Sequence, residues 1–175
     1  MTRALFAALL LTACNGSGTT DFQVADFAAG NFQLTTTAVS DGCMDGAFAV
    51  LFMPDGSARE WPTVTEIPAY ADLPSTYTVT LPSPYSNMEI TVEAEGASGF
   101  RFADATQTAV LIDDVQWPGC VVDMGISASF VISDADSFAG SADLSMANFA
   151  GDNCPVLTGG AAECVVSLDL NGARQ

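Results

Sequence analysis

The feature that most restricts the fold is a sustained two-residue alternation of apolar and polar side chains, the period of a strand with one buried face. In "CVVDMGISASFVIS", Cys120, Val122, Met124, Ile126, Ala128, Phe130 and Ile132 share one register, and Asp123, Ser127 and Ser129 fall on the other. "NMEITVEA" sets Met88, Ile90, Val92 and Ala94 against Glu89, Thr91 and Glu93. "ECVVSLDLN" sets Cys164, Val166, Leu168 and Leu170 against Ser167 and Asp169. Further strands are expected over 31–39, 47–53, 75–81, 99–102, 108–115 and 138–146. No window carries a helical stripe. Residues 66–72 offer one turn of helix at most, and Pro68 weakens even that.

The punctuation agrees with short antiparallel connections. Glu95-Gly96-Ala97-Ser98 and Asp134-Ala135-Asp136-Ser137 each separate two strand-like runs, as hairpin turns do. Trp117-Pro118-Gly119 breaks the chain before Cys120, because proline has no ladder donor. The expectation is an all-β, single antiparallel domain of about eight or nine strands over 21–175. Consecutive hairpins favour an up-and-down β-barrel, with a β-sandwich as the alternative. The least regular stretch, 54–74, is longer than most connections in a compact domain.

Charge narrows the partners. The 175 residues carry 21 Asp and Glu against four arginines, with no lysine or histidine, for a net charge of −17. A surface of this sign repels phosphate backbones, so nucleic acid is not an expected partner. Self-repulsion of this kind is screened by salt over roughly 8 Å at physiological ionic strength, so added NaCl is expected to raise the melting temperature. Acidity also leaves room for cation binding. Asp134 with Asp136, Asp113 with Asp114, and Asp41 with Asp45 are the candidate calcium pairs, because calcium accepts carboxylates and loop carbonyls without histidine. None has EF-hand spacing, and aspartate also favours turns for its own backbone bonding. No other cofactor is expected.

The chain has five cysteines. Cys43, Cys120, Cys154 and Cys164 form an even set with no CxxC pair, which in an exported chain suggests two disulfides. Three connectivities are possible; the expected one is Cys154–Cys164, closing a Gly-rich loop, with Cys43–Cys120.

Export is suggested by the first residues. Arg3 supplies one positive charge, Ala4 to Leu11 an apolar run too short to span a bilayer as a helix, and Ala13 a small residue. Leu11-Thr12-Ala13-Cys14 resembles the lipobox of bacterial lipoproteins. That resemblance implies a signal peptide over 1–13, cleavage before Cys14, and lipidation of Cys14 on sulfur and on the new amino group. It places the protein in the cell envelope, with the membrane as partner through the lipid anchor. Asn15, by similarity with enterobacterial lipoproteins, points to the outer membrane over the inner membrane. Residues 14–20 read as the lipidated cysteine and a flexible tether, the six residues after Cys14 reaching about 20 Å at full extension.

Most catalytic classes lack their residues. Without histidine or lysine there is no serine triad base, no Schiff base and no histidine-ligated zinc, and no G-x-S-x-G elbow or phosphate loop occurs. What remains is a carboxylate-dependent polysaccharide hydrolase, which needs two carboxyls roughly 5–5.5 or 6.5–9.5 Å apart across a cleft. The leading expectation is instead a non-catalytic binding or structural module whose partner is an envelope protein, a glycan or a small apolar ligand. Trp61 and Tyr70, aromatics in the proline-rich middle, are the candidate ligand-binding residues, since such rings stack on sugars or line a barrel mouth.

Overall fold

The alternating stretches become strands of one antiparallel sheet. The computed structural model describes residues 22–43, 46, 49–80, 87–112, 118–155 and 160–175. Among these, the strands are β1 (Gly30–Asp41), β2 (Arg59–Glu60), β3 (Thr65–Ile67), β4 (Ser75–Thr80), β5 (Asn87–Glu95), β6 (Gly99–Ile112), β7 (Cys120–Asp134), β8 (Ser137–Ala150) and β9 (Glu163–Arg174). Their order is β2-β1-β9-β8-β7-β6-β5-β4, with β3 paired to β1 beside β2. The sheet curls into a half-barrel. The all-β antiparallel class therefore holds, as a single curled sheet in which β4 to β9 run as a meander.

Register shifts help the sheet curl. They occur at Thr36/Ala38 against β9, at Phe102/Ala105 and Gln107/Val110 between β6 and β7, and at Val121/Asp123 and Ile132/Asp134 between β7 and β8. An extra residue on one strand bends it and increases the local twist. Two of these shifts also explain a departure from the expected strands. The runs 99–102 and 108–115 are not separate; they join through the bulged middle of β6 as far as Ile112.

A second departure lies at 47–53, where a short helix, α1 (Ala49–Phe52), replaces the expected strand. The Asp41 carboxylate at the end of β1 organises it. One oxygen accepts the Cys43 N–H at 2.8 Å and the other the Ala49 N–H at 3.0 Å. The Met53 N–H then donates to the Ala49 carbonyl, and Gly56, at φ 68°, ends the segment with a turn back to Met53. In the stretch 66–72 the strand β3 gives way to one 3-10 turn over Tyr70–Asp72.

Inside the curl the alternation is obeyed closely. Every even-numbered residue from Cys120 to Ile132 is buried, as are Val166, Leu168 and Leu170. Met88, Ile90 and Val92 are buried too, but Ala94 is exposed where β5 leaves the core for its hairpin. One end of the interior is filled by phenylalanines. Phe100, Phe130 and Phe138 lie with ring centroids 5.0–5.1 Å apart, and Phe32 stands 5.2 Å from Phe138. Such offset and edge-on contacts add about 0.5–1.5 kcal/mol per pair beyond area burial. Gly172 makes this packing possible: it pairs with Phe138, and a Cβ there would stand 2.2 Å from that ring.

Candidate functional site

The half-barrel has two ends, an inner face and an outer face, and each disposes of its polar groups differently. At the phenylalanine end, Phe27 stacks on Phe32 at 5.3 Å, so the chain before β1 covers the rings. Arg174, the last residue of β9, closes this end. Its guanidinium donates to the carbonyls of Ala28, Ala29 and Ala135 at 2.9–3.0 Å and to the Asp136 carboxylate at 2.8 Å. It also lies over the Phe32 ring at 4.7 Å and the Phe27 ring at 5.8 Å. Gly30 leaves room for it, since a Cβ there would meet the guanidinium at 1.9 Å. Nothing in the sequence pattern singled out Arg174; its scarcity, as one of four arginines, was the only signal.

The opposite end carries the disulfides, and the expected pairing is corrected. The bonds are Cys43–Cys164 and Cys120–Cys154, with Cα separations of 5.0 and 5.1 Å. Strand register is the reason. Asp41 pairs with Val166, which brings Cys43 at the end of β1 beside Cys164 on β9. Val121 pairs with Ala150, which brings Cys154, just past β8, beside Cys120. Cys164 itself faces Met146 across the β8–β9 ladder, so Cys154 lies beyond it.

The inner face holds the aromatic candidate Trp61, which is 3% exposed. Its indole N–H donates to the Thr36 hydroxyl at 3.0 Å, and Thr36 is fully buried. Its backbone is tied down as well, donating to Leu34 and accepting from the Gln33 side chain, both at 2.8 Å. Tyr70 is half-buried; its hydroxyl donates to the Gly96 carbonyl at 3.1 Å and its N–H to the Phe27 carbonyl. The structure does not bring Trp61 and Tyr70 together, and neither ring stands free on a surface.

Asp134 and Asp136 do share one turn, between β7 and β8. Asp134 accepts the Asp136 N–H and the Ser137 hydroxyl, each at 2.8 Å. These two bonds, the backbone one first, hold its carboxyl below the usual value near 3.8. Asp136 is turned to Arg174. Both carboxylates are thus committed to partners of the fold. Asp45, Asp113, Asp114 and Cys14 lie outside the described residues. Among the described residues no group of three or more cysteine or carboxylate side chains is arranged to hold a metal ion.

Among the described side chains the other carboxylates lie on the outer face and in turns, and none is buried. Several of them bond to hydroxyls, amides or arginines. Asp143 accepts the Ser167 hydroxyl at 2.6 Å, Asp123 the Asn148 amide at 2.8 Å, and Glu93 the Arg101 guanidinium at 2.6 Å; Glu95 meets the Ser129 hydroxyl. Shallow, solvent-open depressions occur on this outer face. One, of about 360 Å³, is floored by Gly125 and rimmed by Thr106, Asp143, Ser145 and Val165. No described helix is long and apolar enough to cross a membrane. No protein-family model matches the chain, and no curated protein and no solved structure matches it.

Proposed function

We propose that this chain is a lipid-anchored envelope module that works by contact with another protein and performs no chemistry. The observation that carries this reading is the inner face: phenylalanines and aliphatic side chains fill it, and among the described residues its buried polar side chains are Thr36 and Thr65. A hydrolase built on carboxylates needs one acid shielded enough to hold its proton near neutral pH, and burial is the usual means. Among the described side chains no carboxylate is buried: most are exposed, and Asp41, Glu93 and Asp123 are half-buried. A filled interior likewise supports a protein partner over a small apolar ligand, and the buried Trp61 supports it over a glycan.

Location rests on the resemblance of Leu11-Thr12-Ala13-Cys14 to a lipobox. The chain enters the domain at the phenylalanine end, where Arg174 grips Ala28 and Ala29. From Cys14 to Phe22 the chain reaches at most about 28 Å. The phenylalanine end therefore faces the bilayer in this reading, and the disulfide end points away from it.

The test has two arms. Mass spectrometry of the amino-terminal peptide is expected to find an acylated Cys14, and Cys14→Ser is expected to move the protein from the membrane to the soluble fraction. An amino terminus free of fatty acid ends the anchoring half. Release of reducing sugar from peptidoglycan or other envelope polysaccharide by the purified protein ends the non-catalytic half.

A further inference from the structure

The two edges of the sheet are not protected alike. Exposed strand edges recruit other strands, and proteins normally blunt them with charge, proline, bulges or brevity. On one edge, β2 has two residues, both charged and exposed, and β3 has three with Glu66 at its centre. On the other edge, β4 is Ser-Thr-Tyr-Thr-Val-Thr, six residues with no charge and no proline, paired with β5 without a register shift. Threonine, tyrosine and valine are strong strand formers. β3 comes near β4 but no ladder joins them. Among the described residues no backbone hydrogen bond reaches β4 from its outer side.

We infer that the β4 edge is a strand-addition site for an extended, cationic segment of a partner protein. This rests on the protein-contact half of the reading above and is independent of the lipid anchor. Charge selects the occupant. A second copy would bring a net charge of −17 against −17, whereas a lysine- or arginine-bearing strand meets complementary charge. The carboxylates are placed to receive it. Glu89 lies directly across the ladder from exposed Thr78, and Asp72, three residues before β4, is exposed. Strands lie about 4.8 Å apart, so a residue added opposite Thr78 sits about 10 Å from the Glu89 backbone. A lysine and a glutamate span that distance across the short threonine. On the inner side the added strand would continue the face of Tyr77 and Val79, of which Val79 is buried and Tyr77 half-buried. The segment that fits alternates apolar and basic residues, gaining affinity from main-chain bonds and selectivity from charge.

The experiment is a fluorescence anisotropy titration of the full chain with a labelled seven-residue peptide alternating valine and lysine. Its glutamate counterpart and a copy N-methylated on alternate residues serve as comparisons. The lysine peptide is expected to bind saturably at one per chain, weakening as NaCl rises from about 50 to about 500 mM. The glutamate and N-methylated peptides are each expected to bind at least about tenfold more weakly. Thr78→Lys places a like charge on the edge and is expected to cost at least about tenfold, while Ser141→Lys, the same charge change on exposed β8, costs less than about threefold. Unchanged melting of both variants confirms that the fold is kept. Equal binding of the N-methylated peptide, or equal loss in the two variants, would mean that charge alone holds the peptide and would overturn the inference. So would a dimer in sedimentation that Thr78→Lys dissolves, because the occupant would then be a second copy.

Discussion

Arg174 is expected to hold the phenylalanine end through carbonyls and rings, not through its ion pair, and the two contributions separate cleanly by mutation. In Arg174→Ala, the three bonds to the carbonyls of Ala28, Ala29 and Ala135 are lost. These residues are exposed, so water takes over the orphaned oxygens and each loss costs only about 0.5–1 kcal/mol. Loss of the cation over Phe27 and Phe32 adds about 1 kcal/mol. The expected destabilisation is about 3 kcal/mol, or roughly 6–12 °C in Tm for a chain of this size. Asp136→Ala removes only the carboxylate, whose side chain is 73% exposed, and costs at most about 1 kcal/mol. Arg174→Lys falls between, because one ammonium cannot fork onto carbonyls on two sides. Thermal and urea denaturation followed by circular dichroism, at low salt and in about 0.5 M NaCl, is the assay; the Arg174→Ala deficit should survive the salt because screening acts on exposed charges. If Asp136→Ala is as damaging as Arg174→Ala, or if salt erases the deficit, the account of this end is wrong.

The remaining expectations concern the other closures of the fold. Peptide mapping without reduction should find Cys43–Cys164 and Cys120–Cys154, and replacing each pair by serine should cost about 5 and about 4 kcal/mol, following the sequence separations of 121 and 34. Trp61→Phe leaves the buried Thr36 hydroxyl unbonded and should cost about 2–3 kcal/mol in urea denaturation, of which adding Thr36→Val should recover about 1 kcal/mol. A double variant no more stable than Trp61→Phe would remove the hydrogen-bond explanation. The Asp134 carboxyl is held below its usual value, so its contribution to stability is present above about pH 4 and disappears as pH falls through the lowered folded-state value. Asp134→Ala should therefore melt earlier than wild type near pH 6, with the gap narrowing as the pH is lowered into the acid range. Because the turn occupies both aspartates, calcium should raise Tm no more than an ionic-strength match of NaCl; a specific rise would restore the cation site.

The long strands were legible because each buries one face, and a period of two is visible without knowing the partner. That is why β5, β7, β8 and β9 match their expected stretches closely. β2 and β3 were not legible, since two or three residues contain no period. Only their pairing with Thr35, Thr36 and Gly30–Phe32 makes them strands. The setting of Trp61 was equally hidden. A tryptophan in a proline-rich stretch has no period to tell which way it faces; its backbone N–H joins Leu34 on β1 and its ring turns inward to Thr36. Cysteine pairing failed for a related reason. Nearness in sequence favoured Cys154–Cys164, whereas the register of β1 against β9 spans almost the entire chain. Arg174 was invisible because three of its partners are backbone carbonyls of alanines, which leave no side-chain signature.

Chain order explains why the two ends of the half-barrel need different fastenings. At the phenylalanine end the turns are tight: Gly96–Ser98 joins β5 to β6, and Ala135–Asp136 joins β7 to β8. The start of β1 and the end of β9 meet there as well, with Phe32 opposite Arg174. Short turns leave little backbone to satisfy, so rings can fill the space and one forked cation can bind the carbonyls that remain. At the far end the strands are joined by longer connections, from Ile112 to Cys120 and from Ala150 to Glu163. Longer loops carry more backbone that no ladder pairs and more entropy to be lost on ordering. Covalent links suit that end, and both disulfides sit where a strand terminus meets such a connection. Neither fastening reaches the long seam of the curl, where β4 ends the sheet. That edge is left to its own side chains, and they carry none of the charges found on β2 and β3.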